Sequence, residues 1–143
     1  MSSADSWVVD ASVLVDLVIG GSSSQASSDA MAGCRLHAPA HVDVEVTSAL
    51  ARLHRADLLT RAAAGRALAA FGQAPLTRNE LPPLVAGAWK HSAGLCVADA
   101  FYVELARQLG TRVLTVDARL ARASPYAVLP PGFVDGSPKS EGS

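Results

Sequence analysis

The chain contains two cysteines, Cys34 and Cys96, which lie far apart and show no metal-binding spacing. The expectation is two reduced, mostly buried thiols. Long apolar runs are missing as well: the first one is broken by Asp16 and Gly20-Gly21 before it reaches membrane-spanning length. Met1 to Ser6 holds no basic region followed by an apolar core, so no secretory signal is expected and a soluble cytoplasmic protein follows. Nor is there an excess of one charge. Twelve basic and thirteen acidic residues leave a formal charge of −1, so neither a nucleic acid nor a membrane can be inferred from net charge. Only two of the basic residues are lysine; ten are arginine, the better match to paired phosphate contacts, although a GC-rich genome leaves the same bias. His37, His41, His54 and His91 have no zinc-like spacing. No glycine loop follows a strand to cradle a phosphate, because Gly20-Gly21 comes after a helical pattern.

Half of the residues are hydrophobic, enough for one domain with a sizeable core, expected over residues 1–133. From 134 to 143 the composition is that of a disordered tail. Trp7, Val8 and Val9 read as a strand covered on both faces, with Ser12 opening a helix. Gly21 to Ala30, rich in Ser and Gly, reads as an exposed loop. Cys34 to Ala38 is a short strand, and Pro39 suits the first turn of a helix bearing Val42, Val46, Ala49, Leu50 and Leu53 at helical spacing. Ser48, Arg52 and Arg55 fall together on another face of it.

A second, Ala-rich helix is expected from Leu58 to Phe71, closed by Gly72, so that the pair forms a helical hairpin. Pro75 to Leu81 is a further strand candidate, and Pro82-Pro83 opens a helix to about His91. The strongest helix is Val97 to Leu109, stopped by Gly110. Thr111 to Val116 is a buried-strand pattern, Ala118 to Ala123 a short helix and Tyr126 to Leu129 a last strand. Helices alternating with apolar strands predict an α/β fold: a mainly parallel sheet of four to five strands flanked by helices.

Four acids have comparable placements. Asp10 and Asp117 end inner strands, while Glu45 and Asp99 lie near helix starts at the borders of apolar faces. Each aspartate also reads as a helix N-cap, whereas Glu45 has no such role. If the strand ends share one sheet edge, all four carboxylates face one cleft, where ligands of open α/β sheets bind. Two carboxylates about 4 Å apart repel by roughly 4 kcal/mol at an effective dielectric near 20, so such a cluster needs cations. Mg²⁺ and Mn²⁺ suit an all-oxygen site and bridge carboxylates to phosphate.

Val-Val-Asp-Ala-Ser at the N-terminus, Glu45 within Pro-Ala-His-Val-Asp-Val-Glu-Val-Thr-Ser-Ala-Leu, Ala98-Asp99-Ala100 and Val113-Leu114-Thr115-Val116-Asp117 together resemble the PIN-domain ribonucleases. The match is closest to the VapC-type toxins of type II toxin–antitoxin pairs, and it spans about Val8 to Leu129. The resemblance implies a three-layer α/β/α domain with its first strand in the middle, and Mg²⁺- or Mn²⁺-dependent cleavage of RNA. Carried over by position, Asp10, Asp99 and Asp117 would ligate metal directly or through water, and Glu45 would hold metal or orient the attacking water. Ser12 and Thr115 match supporting hydroxyls. The resemblance also implies a VapB-type antitoxin, whose C-terminal segment wraps the helical hairpin, and a toxin homodimer. Where some relatives carry a further acid, this chain has Arg119, which favours one well-formed ion site and leaves Arg119 either to contact phosphate or to stand in solvent.

Asp16, six residues after Asp10 on the same helix, is expected to point away toward solvent or a partner. Asp43 lies off the face of Glu45. Trp89-Lys90-His91 reads either as an RNA-stacking group or as ordinary amphipathic packing. Two other functions stand beside the nuclease: a catalytically inactive PIN-like protein- or RNA-binding module, and phosphotransfer through Asp10. The second lacks its supporting acids, since Ser12 stands where aspartate-based phosphatases need a second aspartate.

Overall fold

A computed structural model of the chain describes residues 5–133; the tail expected from 134 lies outside them. Strands β1 (Ser6–Val9), β2 (Arg35–Pro39), β3 (Leu76–Asn79), β4 (Val113–Leu114) and β5 (Ala127–Val128) form one sheet in the order β3-β2-β1-β4-β5. Every neighbouring pair is parallel. β1 is therefore central, and the chain leaves it first toward β2 and later toward β4. That reversal puts a crevice beyond the carboxyl ends of β1 and β4.

The helices are α1 (Ala11–Ile19), α2 (Ser24–Met31), α3 (Val42–Arg55), α4 (Arg61–Gly72), α5 (Val85–His91), α6 (Val97–Leu109) and α7 (Ala118–Ala123), with a 3-10 turn at Pro82–Leu84 before α5. α6 lies across β1, β2 and β4 with α5 packed along it, while α1 touches α2, α3 and α4. The result is the three-layer α/β/α sandwich. Val8, Val9, Val13, Val46, Leu50, Tyr102, Val113 and Leu114 are almost fully buried at its centre. Apolar strands without alternation are what a sheet covered on both faces requires.

The predicted loop from Gly21 to Ala30 is instead largely helical. Ser27 and Met31 of α2 are buried, Gln25 donates to Asp29 one turn on (2.8 Å), and the Trp7 indole donates to the Ala30 carbonyl (3.1 Å). Burial against α1 overrides the weak helix propensity of serine. Pro39 does not open α3; it ends β2, paired with Asn79, and α3 starts at Val42. α4 begins at Arg61 rather than Leu58, where Thr60 caps it by accepting the Ala63 N–H (3.0 Å). Between α3 and α4, Asp57 takes a left-handed φ of 59°, and the Leu58 N–H reaches back to the Leu53 carbonyl (2.9 Å). This turn makes the expected hairpin.

Candidate active site at the sheet switch point

Asp10 follows β1 directly, and its N–H donates to the Leu114 carbonyl of β4 (3.0 Å). It occupies the N-cap position of α1, but its side chain caps nothing. Instead Oδ2 accepts from the Ser12 hydroxyl (2.6 Å) and the Thr115 hydroxyl (2.9 Å). Each hydroxyl in turn accepts a backbone N–H: Ser12 from Val116 (3.2 Å) and Thr115 from Asp117 (3.0 Å). Both hydroxyl protons are thus committed to Asp10, and the network fastens the end of β1 to the end of β4. Asp117 does cap, accepting the Arg119 N–H at the start of α7 (2.9 Å). Asp99 lies in the first turn of α6, whose N-cap position is held by Cys96.

Glu45, in the first turn of α3, has Oε1 buried without a hydrogen bond among the described residues, although the His41 ring nitrogen Nε2 lies 3.1 Å away. The same nitrogen is 3.2 Å from the Ala98 carbonyl. Beneath them the Tyr102 hydroxyl is buried beside the Glu45 carboxylate.

These surroundings pull the acids apart electrically. Burial pushes the Asp10 carboxyl up from 3.8 to about 6; the Ser12 and Thr115 hydroxyls oppose this, and the Asp99 and Glu45 charges add to it. Burial also pushes Glu45 up, but the His41 ring and the Tyr102 hydroxyl beside it outweigh that, and the net shift is downward. Burial, then the Glu45 and Asp10 charges, raise the Tyr102 hydroxyl well above its ordinary value, so it stays protonated.

Asp10, Ser12, Glu45, Asp99, Asp117 and Arg119 all line one cleft of about 780 Å³, with Thr115 buried behind Asp10. Four residues of that cleft were missed in the sequence. Asp16 does not point away: it lines the cleft, its carboxylate wedged against the Gly20-Gly21 turn where a Cβ on Gly21 would collide with it. Helix geometry explains this, since Asp16 stands one turn after Ser12 and shares its face of α1 with Ser12, Val15 and Ile19. Ser48 and Arg52 line the cleft from α3, and Cys96 from the start of α6. The thiols are not mostly buried either, for Cys96 is exposed and Cys34 half-buried. A signal for Ser48 and Arg52 was present, because they share with Glu45 the spacing of one helical face.

A parallel sheet in this order, with acids from four separate segments lining one cleft at its switch point, defines an α/β protein with an acidic ligand site. Residues 7–124 match the model of the PIN domain, and the chain belongs to that family. It is 49% identical over 121 residues to Ribonuclease VapC3 of Mycobacterium tuberculosis, covering 84% of this chain and 88% of that one. Ribonuclease VapC9 of the same organism is 38% identical over 115 residues (80% and 87% covered), and Ribonuclease VapC12 is 34% identical over 116 (81% and 90%). Within the PIN-domain family the chain is a member of the VapC ribonucleases. Among solved structures, PAE2754 from Pyrobaculum aerophilum superposes with a TM-score of 0.64 at 24% identity, covering 88% of this chain and 84% of that one, which supports the fold. Among the described residues no helix is long and apolar enough to cross a membrane.

Proposed function

We propose that the chain is the toxin of a type II toxin–antitoxin pair, acting in the cytoplasm as a Mg²⁺- or Mn²⁺-dependent endoribonuclease through Asp10, Glu45, Asp99 and Asp117. The observation that carries this is the convergence of these four carboxylates, from four separate segments, on one cleft. Among the described residues no three His, Cys, Asp or Glu side chains stand close enough to make a complete metal shell. A hard cation such as Mg²⁺ does not need one: it is commonly held by one or two carboxylates, with water and substrate phosphate completing its octahedron. The all-oxygen donor set fits such an ion, and so does Glu45 Oε1, buried without a well-formed hydrogen bond beside the His41 ring nitrogen (3.1 Å). When bound, it supplies Lewis-acid stabilisation of phosphate charge and a more acidic water.

The remaining chemistry is the chain's own. Asp10 is fixed in one orientation by two hydroxyls, so its carboxylate needs no reorganisation to serve as a ligand. Glu45, held below the ordinary glutamate range, is ionised at neutral pH and accepts a hydrogen bond from the attacking water. Asp99 and Asp117 complete the acidic wall, and Arg119, 86% exposed with Nε 3.6 Å from Asp117 Oδ1, contacts substrate phosphate.

The groove between α3 and α4, about 460 Å³ and lined by Thr47, Ala51, Arg55, Arg61 and Leu68, combines apolar surface with arginines. It suits an antitoxin segment that is both apolar and acidic, as expected for a VapB-type partner. The toxin itself forms a homodimer. The absence of a three-ligand metal cluster among the described residues favours a second reading, a PIN-like module that binds without cleaving. Incubating bulk RNA with purified protein and Mg²⁺ or Mn²⁺, beside Asp99→Asn, decides between them. Cleavage by the wild type alone supports the nuclease; metal-dependent stabilisation without cleavage supports the module; equal cleavage by both proteins sinks the assigned site.

A further inference from the structure

The cleft does not end at the acids. It continues between α1 and α3, two helices that both start from the carboxyl edge of the sheet and run away from it. Ser12, Val15, Asp16 and Ile19 line it from α1, and Val44, Glu45, Ser48, Ala49, Arg52 and Leu53 from α3. At 1.5 Å per residue, Arg52 stands about 10 Å along α3 from Glu45, beyond the place of the bond to be cut.

Three features mark this extension as a substrate groove. First, its walls carry exposed apolar side chains among the polar ones: Ile19 is 39% and Val44 67% exposed, and the half-buried Val15 and Leu53 line it with them. Second, the cleft as a whole carries five acids, Asp10, Asp16, Glu45, Asp99 and Asp117, against two arginines. A polyanion entering it meets repulsion except where cations stand. Third, Arg52 is exposed and, among the described residues, forms no ion pair, whereas Arg119, the other arginine of the cleft, lies 3.6 Å from Asp117. The shifts of Asp10 and Glu45 arise from burial, hydrogen bonds and the charges of Asp99, Glu45 and His41; Arg52 does not serve to neutralise them.

Resting on the reading of the acid cleft as the nuclease site, we propose that Arg52 and Ser48 form a second phosphate contact. They grip the RNA strand beside the cut, while the adjoining base or ribose lies on Val15, Ile19 and Leu53. A guanidinium offers a planar fork of donors to phosphate oxygens, and the Ser48 hydroxyl, one turn earlier on the same face, adds a neutral donor. The acids then cleave whatever this groove holds in register, so Arg52 acts on binding and positioning rather than on the bond itself.

The test uses the purified full-length chain, a fluorescein-labelled single-stranded RNA of mixed sequence in Ca²⁺ buffer, and a salt series, for the wild type, Arg52→Ala, Arg52→Lys and Asp99→Asn. Arg52→Ala is expected to weaken binding about tenfold, the scale of one charge-assisted contact. It should also flatten the slope of log K against log salt by about 0.7, one phosphate contact on a single strand. Arg52→Lys keeps the slope. With Mg²⁺ and bulk RNA, Arg52→Ala raises KM far more than it lowers kcat. An Arg52→Ala protein with wild-type affinity and slope overturns the proposal, as does a wild type that does not bind the RNA. So does an Arg52→Ala protein that loses only affinity for an acidic antitoxin peptide, since Arg52 would then belong to a protein interface. Asp99→Asn separates the two layers: it should cleave nothing even at saturating RNA, where Arg52→Ala still cleaves. Full cleavage by Asp99→Asn refutes the site itself, whatever Arg52 does.

Discussion

Asp10→Asn should make the metal-free protein more stable, although it removes a central residue of the site. The Asp10 carboxyl is held at about 6 in the folded chain against an ordinary 3.8. The folded state therefore binds the proton more tightly than the unfolded one. Below pH 3.8 Asp10 is protonated in both states and costs nothing. As pH rises from 3.8 to 6 the unfolded chain ionises first, and stability falls. Above pH 6 the full penalty stands, about 3 kcal/mol at 1.36 kcal/mol per unit. Asparagine stands in for the neutral acid: its side-chain oxygen still accepts from Ser12 and Thr115, without the buried charge. Near 2.1 cal/mol/K per residue, a chain of 143 residues converts about 3 kcal/mol into roughly 10 °C of Tm. Calorimetric melts of chelator-treated wild type and Asp10→Asn at pH 8 and pH 4 measure it directly. The gap should be large at pH 8 and close at pH 4. Mg²⁺ or Mn²⁺ should then raise the Tm of the wild type and leave the variant nearly unmoved, reversing their order. A metal-free Asp10→Asn protein that melts below the wild type at pH 8 would refute the reasoning.

Further substitutions test other contacts of the fold. Thr115→Val removes the hydroxyl shared by Asp10 Oδ2 and the Asp117 N–H; it should cost about 1–3 kcal/mol and lower kcat, with both restored in Thr115→Ser when melts and RNA cleavage are compared. Glu104 is buried yet paired with His91, Arg107 and Gln108, contacts with the Arg107 side chain foremost in holding its carboxyl at about 2. Its stabilisation is present above pH 4.5 and lost as pH falls toward 2. Glu104→Ala should cost about 1–3 kcal/mol at neutral pH through its lost hydrogen bonds in urea unfolding, since the half-exposed Arg107 is left to solvent, and Gly87→Ala, which drives a methyl into the same carboxylate, about 1–3 kcal/mol. Trp89, 78% exposed, is not a packing residue, so Trp89→Ala should change stability by less than about 0.5 kcal/mol; Leu50→Ala in the core should cost about 2–5 kcal/mol by the same unfolding assay.

Much of this architecture was legible before any coordinates. Val8-Val9 and Val113-Leu114 announce buried strands by lacking alternation, and α6 was read with its observed ends because Gly110 supplies the left-handed stop (φ 68°) that its C-terminus needs. In a parallel sheet Asp10 and Asp117 must share an edge, and helices starting from that edge bring Glu45 and Asp99 toward it. Local periodicity and the succession of strand and helix are properties of the chain itself, so they fix element type and the edge at which the acids gather.

What the chain could not announce depends on contacts between segments distant in sequence. α2 forms from a serine-rich stretch because Ser27 and Met31 find burial, not because their neighbours favour a helix. Asp16, Ser48, Arg52 and Cys96 join the cleft through the way α1, α3 and α6 lie against one another. The shift of Asp10 to about 6 arises from a desolvation that no stretch of sequence contains. Type and order of elements are decided by short-range sterics and hydrophobic spacing. Which polar groups share a cleft, and how each is charged there, is decided by tertiary packing, because burial and Coulomb interactions act through space.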